Sequence, residues 1–171
     1  MRFLAMAAAA VLAGCASYSW KSSVPPDLRR ISVSVFRNES DVTGLGEKVA
    51  AQVLRELQRE GTFEIVPLDE CDVEIQGVVK SDSVSTVAYE RRTGARTREH
   101  SLKAVAEVSF VNKAAGTVVE NRRKYSAATT FLANDDITTG AMDASGRLAE
   151  DFARQIVDDA LDIDWKKGAG Q

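Results

Sequence analysis

The chain has 171 residues, of which 44% are hydrophobic and 27% are charged, and its formal net charge is −3. These proportions are typical of a globular domain that can bury a sizeable core. The acidic balance excludes a global positive field of the kind that recruits nucleic acid. Any binding of anions must therefore come from a local cluster of basic side chains.

The first fifteen residues carry the features of a processed lipoprotein signal. Arg2 precedes a short apolar run, residues 3–11, and small residues then lead to Leu-Ala-Gly-Cys, which ends at Cys15. The run is shorter than the roughly 20 residues that a membrane-spanning helix needs, and it has the form of a cleaved secretory signal. The motif matches the bacterial lipobox, which predicts removal of residues 1–14 and acylation of Cys15. The alternative is an ordinary signal peptide that happens to contain a cysteine.

Acylation would make Cys15 a membrane anchor, because more than one buried acyl chain gives stable attachment. The residue after the cysteine is Ala16 and not an aspartate. By resemblance to the sorting of enterobacterial lipoproteins, this favours the outer membrane. The sequence therefore predicts a protein that is lipid-anchored to the outer membrane on its periplasmic side.

The rest of the chain is predicted to form a tether, one domain and a tail. Serines and the Pro25-Pro26 pair favour an extended lipidated tether over residues 15–30. Residues 31–165 are predicted as a single α+β domain, and the Gly-rich residues 166–171 as a flexible tail. With Cys15 acylated, Cys71 has no disulfide partner in the chain, and we expect it to be a small buried residue near the start of a strand. The alternatives are an intermolecular disulfide and a reactive thiol.

The first half of the domain has the pattern of a strand, a helix and a second strand. Residues 31–36 alternate in polarity, which predicts a strand. Asp41 or Thr43 is available to cap the helix that follows. That helix is predicted over residues 45–59, where apolar side chains fall on one face, and Gly61 stands at its C-cap. This order suggests a parallel crossover.

The second half begins with a meander of three strands. Residues 73–89 and 102–110 alternate in polarity on either side of Thr93-Gly94, which is a hairpin signal. A second polar turn at residues 112–116 leads to another strand over residues 117–129. Consecutive hairpins of this kind predict neighbouring antiparallel strands.

The longest helix is predicted over residues 139–161. Its apolar stripe includes Met142, and Asp159 belongs to the face that is turned to water. Two helices with one apolar stripe each most economically cover one face of a single sheet. The predicted fold is therefore α+β, a two-layer sandwich with two amphipathic helices packed on one face of a mixed four- to five-stranded sheet.

The residue types do not favour catalysis. His100 is the only histidine, so the groups for a catalytic triad or a zinc site are missing, and there is no Gly-rich phosphate loop. We expect His100 to be a satisfied or exposed surface residue. The sequence predicts no enzymatic activity, no cofactor and no metal site.

One local cluster is a candidate binding site. The predicted hairpin arm carries basic residues that only Glu90 and Glu99 oppose: Arg91, Arg92, Arg96, Arg98 and Lys103. Arginine clusters suit bidentate contacts to phosphate. If the next strand pairs with this arm, Arg122, Arg123 and Lys124 would join the same basic surface. The alternative is a set of solvated charges that guard strand edges against aggregation.

Several short motifs occur in an order that resembles a known family. A Pro-containing lead precedes Ile31–Ser40, which is similar to the family pattern I-x-V-x-x-F-x-N-x-S/T. The similarity continues through the helix to Arg59–Val66, and Cys71–Val79 is similar to the pattern A-D-x-x-L-x-G-x-I. Together with the lipobox, these motifs resemble the LPS-assembly lipoprotein family (LptE-like). The start after the cysteine lacks the glycine-tyrosine pair of the better-known members.

The resemblance implies a specific role. Such proteins are plugs inside an LptD-type outer-membrane β-barrel, where they help to insert lipopolysaccharide into the outer leaflet and assist assembly of the barrel. The implied partners are the barrel, lipopolysaccharide and the membrane that holds the lipid anchor. The basic residues from Arg91 to Lys103 would contact the phosphorylated head of lipopolysaccharide.

A second resemblance stays open. The pattern of strand, helix and strand is also similar to the N-terminal domain shared by TolB-like and CsgG-like periplasmic proteins. In that case the protein would be another envelope lipoprotein that serves protein–protein contact or secretion.

Overall fold

A computed structural model of the chain describes residues 24–92, 95–133 and 136–167, without the side chains of residues 81–82, 87–92 and 95–98. The predicted signal peptide, the lipidation site Cys15 and the turn residues Thr93-Gly94 lie outside the described residues. The helices and strands are β1 (Arg30–Val33), β2 (Arg37–Glu39), α1 (Leu45–Glu60), β3 (Glu64–Ile65), β4 (Val73–Arg92), β5 (Ala95–Asn112), β6 (Thr117–Ala133) and α2 (Ile137–Asp162).

Six strands of the described part form one mixed sheet in the order β3-β1-β4-β5-β6, and β2 also pairs with β4. β1 runs parallel to β3 and β4, and β2 runs parallel to β4. β4, β5 and β6 form the antiparallel meander. The α+β class and the parallel pairing of β1 with β3 are confirmed. The sheet has more strands than predicted because residues 31–36 do not form one continuous strand.

Phe36 accounts for the division between β1 and β2. β1 pairs with β4 as far as Ile75, and β2 resumes the pairing at Val78. Between these points the Phe36 ring, which is 1% exposed, lies against Gly77. A Cβ added at Gly77 would lie only 2.4 Å from Cε2 of that ring. The missing side chain at this position therefore makes room for an aromatic ring in the core.

Both helices cover the same face of the sheet and pack against each other. The inward side chains alternate along β4 and β5, as the pattern of polarity predicts. They are buried against the apolar stripes of the helices: Ile75, Leu102, Ala106 and Phe110 from the strands, Val49, Val53 and Leu57 from α1, and Leu148, Phe152 and Ile156 from α2. The predicted two-layer arrangement is confirmed, and we call the opposite side of the sheet the helix-free face.

α1 begins without the predicted side-chain cap. Its N-cap residue is Gly44, with φ 74°, and no side chain accepts a hydrogen bond there. The prediction that Asp41 or Thr43 caps this helix is therefore wrong. Asn38 organises the turn instead, since its side-chain amide donates to the carbonyl oxygen of Val42 at 2.9 Å.

The other helix ends follow local rules. Gly61 has φ 71° and its N–H donates to the carbonyl oxygen of Leu57, which confirms the predicted C-cap. α2 begins slightly before its predicted start, where the carboxylate of Asp136 accepts a hydrogen bond from the backbone N–H of Thr139 at 3.0 Å. The hydroxyl and the N–H of Thr139 hold the pKa of Asp136 below its usual value.

The domain begins before the boundary predicted at residue 31. Val24 and Leu28 are buried in the core, although they belong to the predicted tether. Asp27 forms an ion pair with Lys166 at 3.3 Å. Trp165, just beyond α2, is fully buried. The two ends of the described chain therefore pack together at one end of the sheet.

Two residues differ from their predicted burial. Met142 is 41% exposed, because α2 turns Ala141 and Ala144 towards the core instead. Cys71 is half-buried rather than buried, and its thiol donates to the carbonyl oxygen of Leu68 at 3.2 Å. Partial burial raises the pKa of the Cys71 thiol.

Candidate functional site

The hairpin formed by β4 and β5 extends beyond the rest of the sheet. The two strands pair from Val73 and Asn112 at one end to Arg92 and Ala95 at the other. β6 ends earlier, where Ala133 pairs with Arg98. At the usual rise of about 3.3 Å per residue, β4 is roughly 60 Å long. We call residues 89–92 and 95–98 the hairpin tip.

Four of the predicted ligand-binding residues belong to the hairpin tip. Arg91 is directly opposite Arg96 in the strand register, Arg92 is opposite Ala95, and Arg98 is opposite Tyr89. The side chains of these arginines lie outside the described part of the structure. Two like charges directly opposite each other on paired strands destabilise the pair. A bound anion would remove this repulsion, and the guanidinium fork is suited to phosphate oxygens.

The register separates the remaining basic residues from the hairpin tip. Lys103 is exposed and lies roughly 16 Å along β5 from Arg98. Arg123 and Lys124 pair with β5 near Val108, roughly 30 Å from the end of β6 at Ala133. β5 and β6 are neighbours, as predicted. They do not gather these charges into one basic surface.

A buried histidine lies at the base of the hairpin, between β4 and β6. His100 is 2% exposed, and its ring stacks on Phe131 with 5.5 Å between the ring centroids. Nδ1 lies 3.4 Å from Oγ1 of Thr86, and Nε2 has no hydrogen-bond partner among the described residues. The expectation of a satisfied or exposed surface histidine is wrong, because Phe131 covers the ring. The sequence carries no signal for this, since His100 lies in a charged segment.

Exposed apolar side chains lie at the same end of the molecule as the hairpin tip. Leu132 is 70% exposed at the end of β6, and Ile137 and Met142 are 40% and 41% exposed in the first turns of α2. The cationic hairpin could contact the charged part of a negatively charged amphiphile, and the exposed apolar side chains could contact its apolar part.

Other charged groups of the meander are paired within the molecule. On the helix-free face, Nζ of Lys80 donates to Glu107 at 3.1 Å, and Lys124 lies 4.0 Å from the same carboxylate. The hydrogen bond from Lys80 lowers the pKa of Glu107. On the other face, Asp159 accepts a hydrogen bond from the hydroxyl of Tyr125 at 2.6 Å, and burial raises the pKa of Tyr125.

Within residues 24–92, 95–133 and 136–167, no group of three or more His, Cys, Asp and Glu side chains is arranged to hold a metal ion. In the same part of the chain, no helix combines the length and the apolar character needed to cross a membrane. The candidate site that combines predicted binding residues with exposed apolar side chains is the hairpin tip and its surroundings.

Solved bacterial structures share this fold at low sequence identity. Uncharacterized lipoprotein B from Nitrosomonas europaea is 14% identical, with a TM-score of 0.54 over 84% of this chain and 88% of that chain. A protein from Xanthomonas campestris is 10% identical, with a TM-score of 0.52 over 81% of this chain and 88% of that chain. At these identities the similarity establishes the fold alone.

No curated protein sequence matches the chain. A family model does match it: the model for lipopolysaccharide assembly, LptE, covers residues 28–160. The match begins at Leu28, in the short 3-10 helix before β1, and ends within the last turn of α2. It therefore includes the whole sheet and the hairpin tip, and it agrees with the resemblance of the N-terminal motifs. The chain belongs to the lipopolysaccharide-assembly lipoprotein family, LptE.

Proposed function

We propose that the protein is anchored through Cys15 to the periplasmic side of the outer membrane, where it works with an LptD-type β-barrel to deliver lipopolysaccharide to the outer leaflet. Membership in the LptE family supports this role. In this role the protein binds and positions other molecules, and it needs no catalytic residues.

The two ends of the described chain are far from the hairpin tip, which supports membrane attachment at one end of the molecule and ligand binding at the other. β1 begins beside the start of β4, where Arg30 donates to Asp72 at 2.7 Å. The tip lies roughly 60 Å away at the other end of β4. The segment from Cys15 to the domain can span at most about 30 Å when fully extended. The lipid anchor therefore serves one end of the protein, and the arginines are available to a different component.

The chemistry of the hairpin tip is the observation that carries the assignment of lipopolysaccharide as its ligand. Arg91, Arg92, Arg96 and Arg98 would contact the phosphates of the head group, because guanidinium groups bind phosphate in a bidentate manner. The exposed Leu132 next to the tip would contact the apolar part. We leave Lys103 out of this contact, because the register sets it apart from the tip.

The partner is tested by affinity purification of the full-length, lipidated protein with a C-terminal tag from detergent-solubilised outer membranes. Mass spectrometry is expected to find an LptD-type barrel in stoichiometric amount. Recovery of another secretion or envelope component in its place would contradict the proposal and favour the TolB-like or CsgG-like alternative.

The ligand is tested by charge reversal at the hairpin tip. The double variant Arg91→Glu with Arg96→Glu is expected to co-purify with the barrel as the wild type does. The amount of lipopolysaccharide that co-purifies is expected to fall about tenfold or more, because charge-assisted hydrogen bonds are lost. The matched control is Arg55→Glu with Arg59→Glu, the same change of charge on exposed positions of α1. Equal recovery of lipopolysaccharide by both double variants would contradict a role for the tip.

A further inference from the structure

The helix-free face of the sheet contains a polar cavity that is separate from the hairpin tip. Its volume is about 340 Å³, within the range of small-molecule sites. The polar groups that line it come from four neighbouring segments of the sheet: Ser34, Arg37, Gln76, Glu107, Ser109 and Arg122. Val35, Gly77 and Val78 complete the lining. The cavity opens near the start of β6, and the hairpin tip lies beyond the opposite end of that strand.

Arg122 is held in this cavity by an unusual backbone. Its φ is 53°, the only positive value among the non-glycine residues that the structure describes. It lies at a bulge between β5 and β6, where the register shifts after Val108. Its N–H donates to Oγ of Ser109 at 3.0 Å. A left-handed conformation is unfavourable for a residue with a Cβ, and such strain is concentrated at binding sites, where bulges re-aim a side chain.

Arg122 is the basic residue of the cavity lining that forms no close ion pair with a described carboxylate. Arg37 forms an ion pair with Glu39 at 2.8 Å. Glu107 is neutralised by Lys80 at 3.1 Å. Among the described residues Arg122 forms no ion pair within 4.0 Å, and Glu107, whose pKa it helps to lower, attracts it from a greater distance. Its neighbour Arg123 is paired with Asp159. The cavity lining therefore carries two guanidinium groups and one carboxylate, and of the two cations Arg122 is the one that is not held in a close ion pair.

We propose that this cavity binds an anionic saccharide, with the Arg122 guanidinium on its phosphate or carboxylate group. A guanidinium matches either anion with two parallel hydrogen bonds. The side-chain amide of Gln76 supplies donors and an acceptor for sugar hydroxyls. The exposed Val35 offers an apolar surface to the C–H face of a sugar ring. A lining this polar does not suit an acyl chain.

Two probes distinguish the possible sources of such a saccharide. The full-length, lipidated protein in detergent micelles is titrated by calorimetry with the phosphorylated core oligosaccharide of lipopolysaccharide, and separately with muropeptides, which carry carboxylates. Binding of either probe that Arg122→Gly weakens supports the site and identifies the source of the saccharide. The absence of binding of both at millimolar concentration would overturn the proposal, and it would leave the role of the hairpin tip untouched.

Substitution of Arg122 separates binding from folding. Arg122→Gly is expected to keep or raise the melting temperature, because glycine adopts a positive φ without strain, and to weaken binding about tenfold or more. Arg122→Asn is a second variant that tolerates this backbone. Lys124→Gln removes a charge from the same face and is expected to bind normally. Unchanged affinity of Arg122→Gly, or an equal loss with Lys124→Gln, would show that Arg122 does not anchor a ligand.

Discussion

The carboxylate of Asp159 accepts a hydrogen bond from Tyr125 and forms an ion pair with Arg123 at 2.9 Å. Its position on the polar side of α2 predicts a solvated charge, and the structure uses it to join α2 to β6. His100 also lies in a charged segment that predicts a surface position, and the structure buries it against Phe131. At the scale of single residues, the neighbours that the fold supplies decide whether a polar group is solvated, paired or buried.

Asp72 is the residue for which the structure predicts a dependence of stability on pH. Arg30 donates to its two oxygens at 3.0 and 2.7 Å, and this bonding lowers the pKa of Asp72. A carboxylate with a lowered pKa in the folded state stabilises that state above its unfolded pKa of about 3.9, and this contribution is lost as the pH falls. Between about pH 5 and pH 3, the wild type is expected to lose more free energy of unfolding than Asp72→Asn.

The measurement is denaturant unfolding at a series of pH values. Asp69→Asn removes an exposed carboxylate from the same connection and serves as the matched control. It is expected to follow the wild type. If Asp72→Asn shows the same pH dependence as the wild type, the bond from Arg30 does not stabilise the folded protein in this way.

At the scale of elements, the contact between α2 and β6 depends on one small residue. A Cβ added at Gly140 would lie 2.6 Å from Cδ2 of Phe131, the ring on which His100 stacks. Periodicity in the sequence predicts α2, and it does not predict this close approach. The apolar stripe of a helix indicates which side faces the core. Whether one position on that side can hold a larger side chain depends on the strand that it faces.

Gly140→Ala is expected to destabilise the protein by about 1–3 kcal/mol through overpacking against Phe131, despite the better helix propensity of alanine. Gly146→Ala, in the same helix, meets nothing within 4 Å and is expected to stabilise by about 0.5–1 kcal/mol. Chemical denaturation of both variants measures the difference. Equal effects of the two substitutions would mean that the Phe131 ring moves aside without cost.

At the scale of the whole molecule, β6 is the long edge strand of the sheet. Unpaired edge strands invite pairing with another chain. Two side chains of α2 donate hydrogen bonds to backbone carbonyl groups of β6. Arg147 donates to the carbonyl oxygen of Thr130 at 2.8 Å, and Gln155 donates to that of Ser126 at 3.2 Å. We infer that these contacts protect the edge, so that the hairpin tip and the helix-free face are the surfaces open to other molecules.

The double variant Arg147→Ala with Gln155→Ala is expected to self-associate as protein concentration rises, because it frees two carbonyl groups on β6. Analytical ultracentrifugation in detergent micelles measures this. Arg154→Ala removes an exposed arginine of α2 that bonds to Asp151 within the helix, and it is expected to behave as the wild type. A double variant that sediments like this control would argue against edge protection.

The sequence by itself determined the lipobox, the order of helices and strands, the α+β class and the family, because these depend on local motifs and on the periodicity of apolar residues. The tertiary structure decided which basic residues lie together. Strand register separates Arg122, Arg123 and Lys124 from Arg98, and a bulge turns Arg122 into the helix-free face. Register and bulges arise from pairing between distant segments, so no local pattern in one segment can specify them.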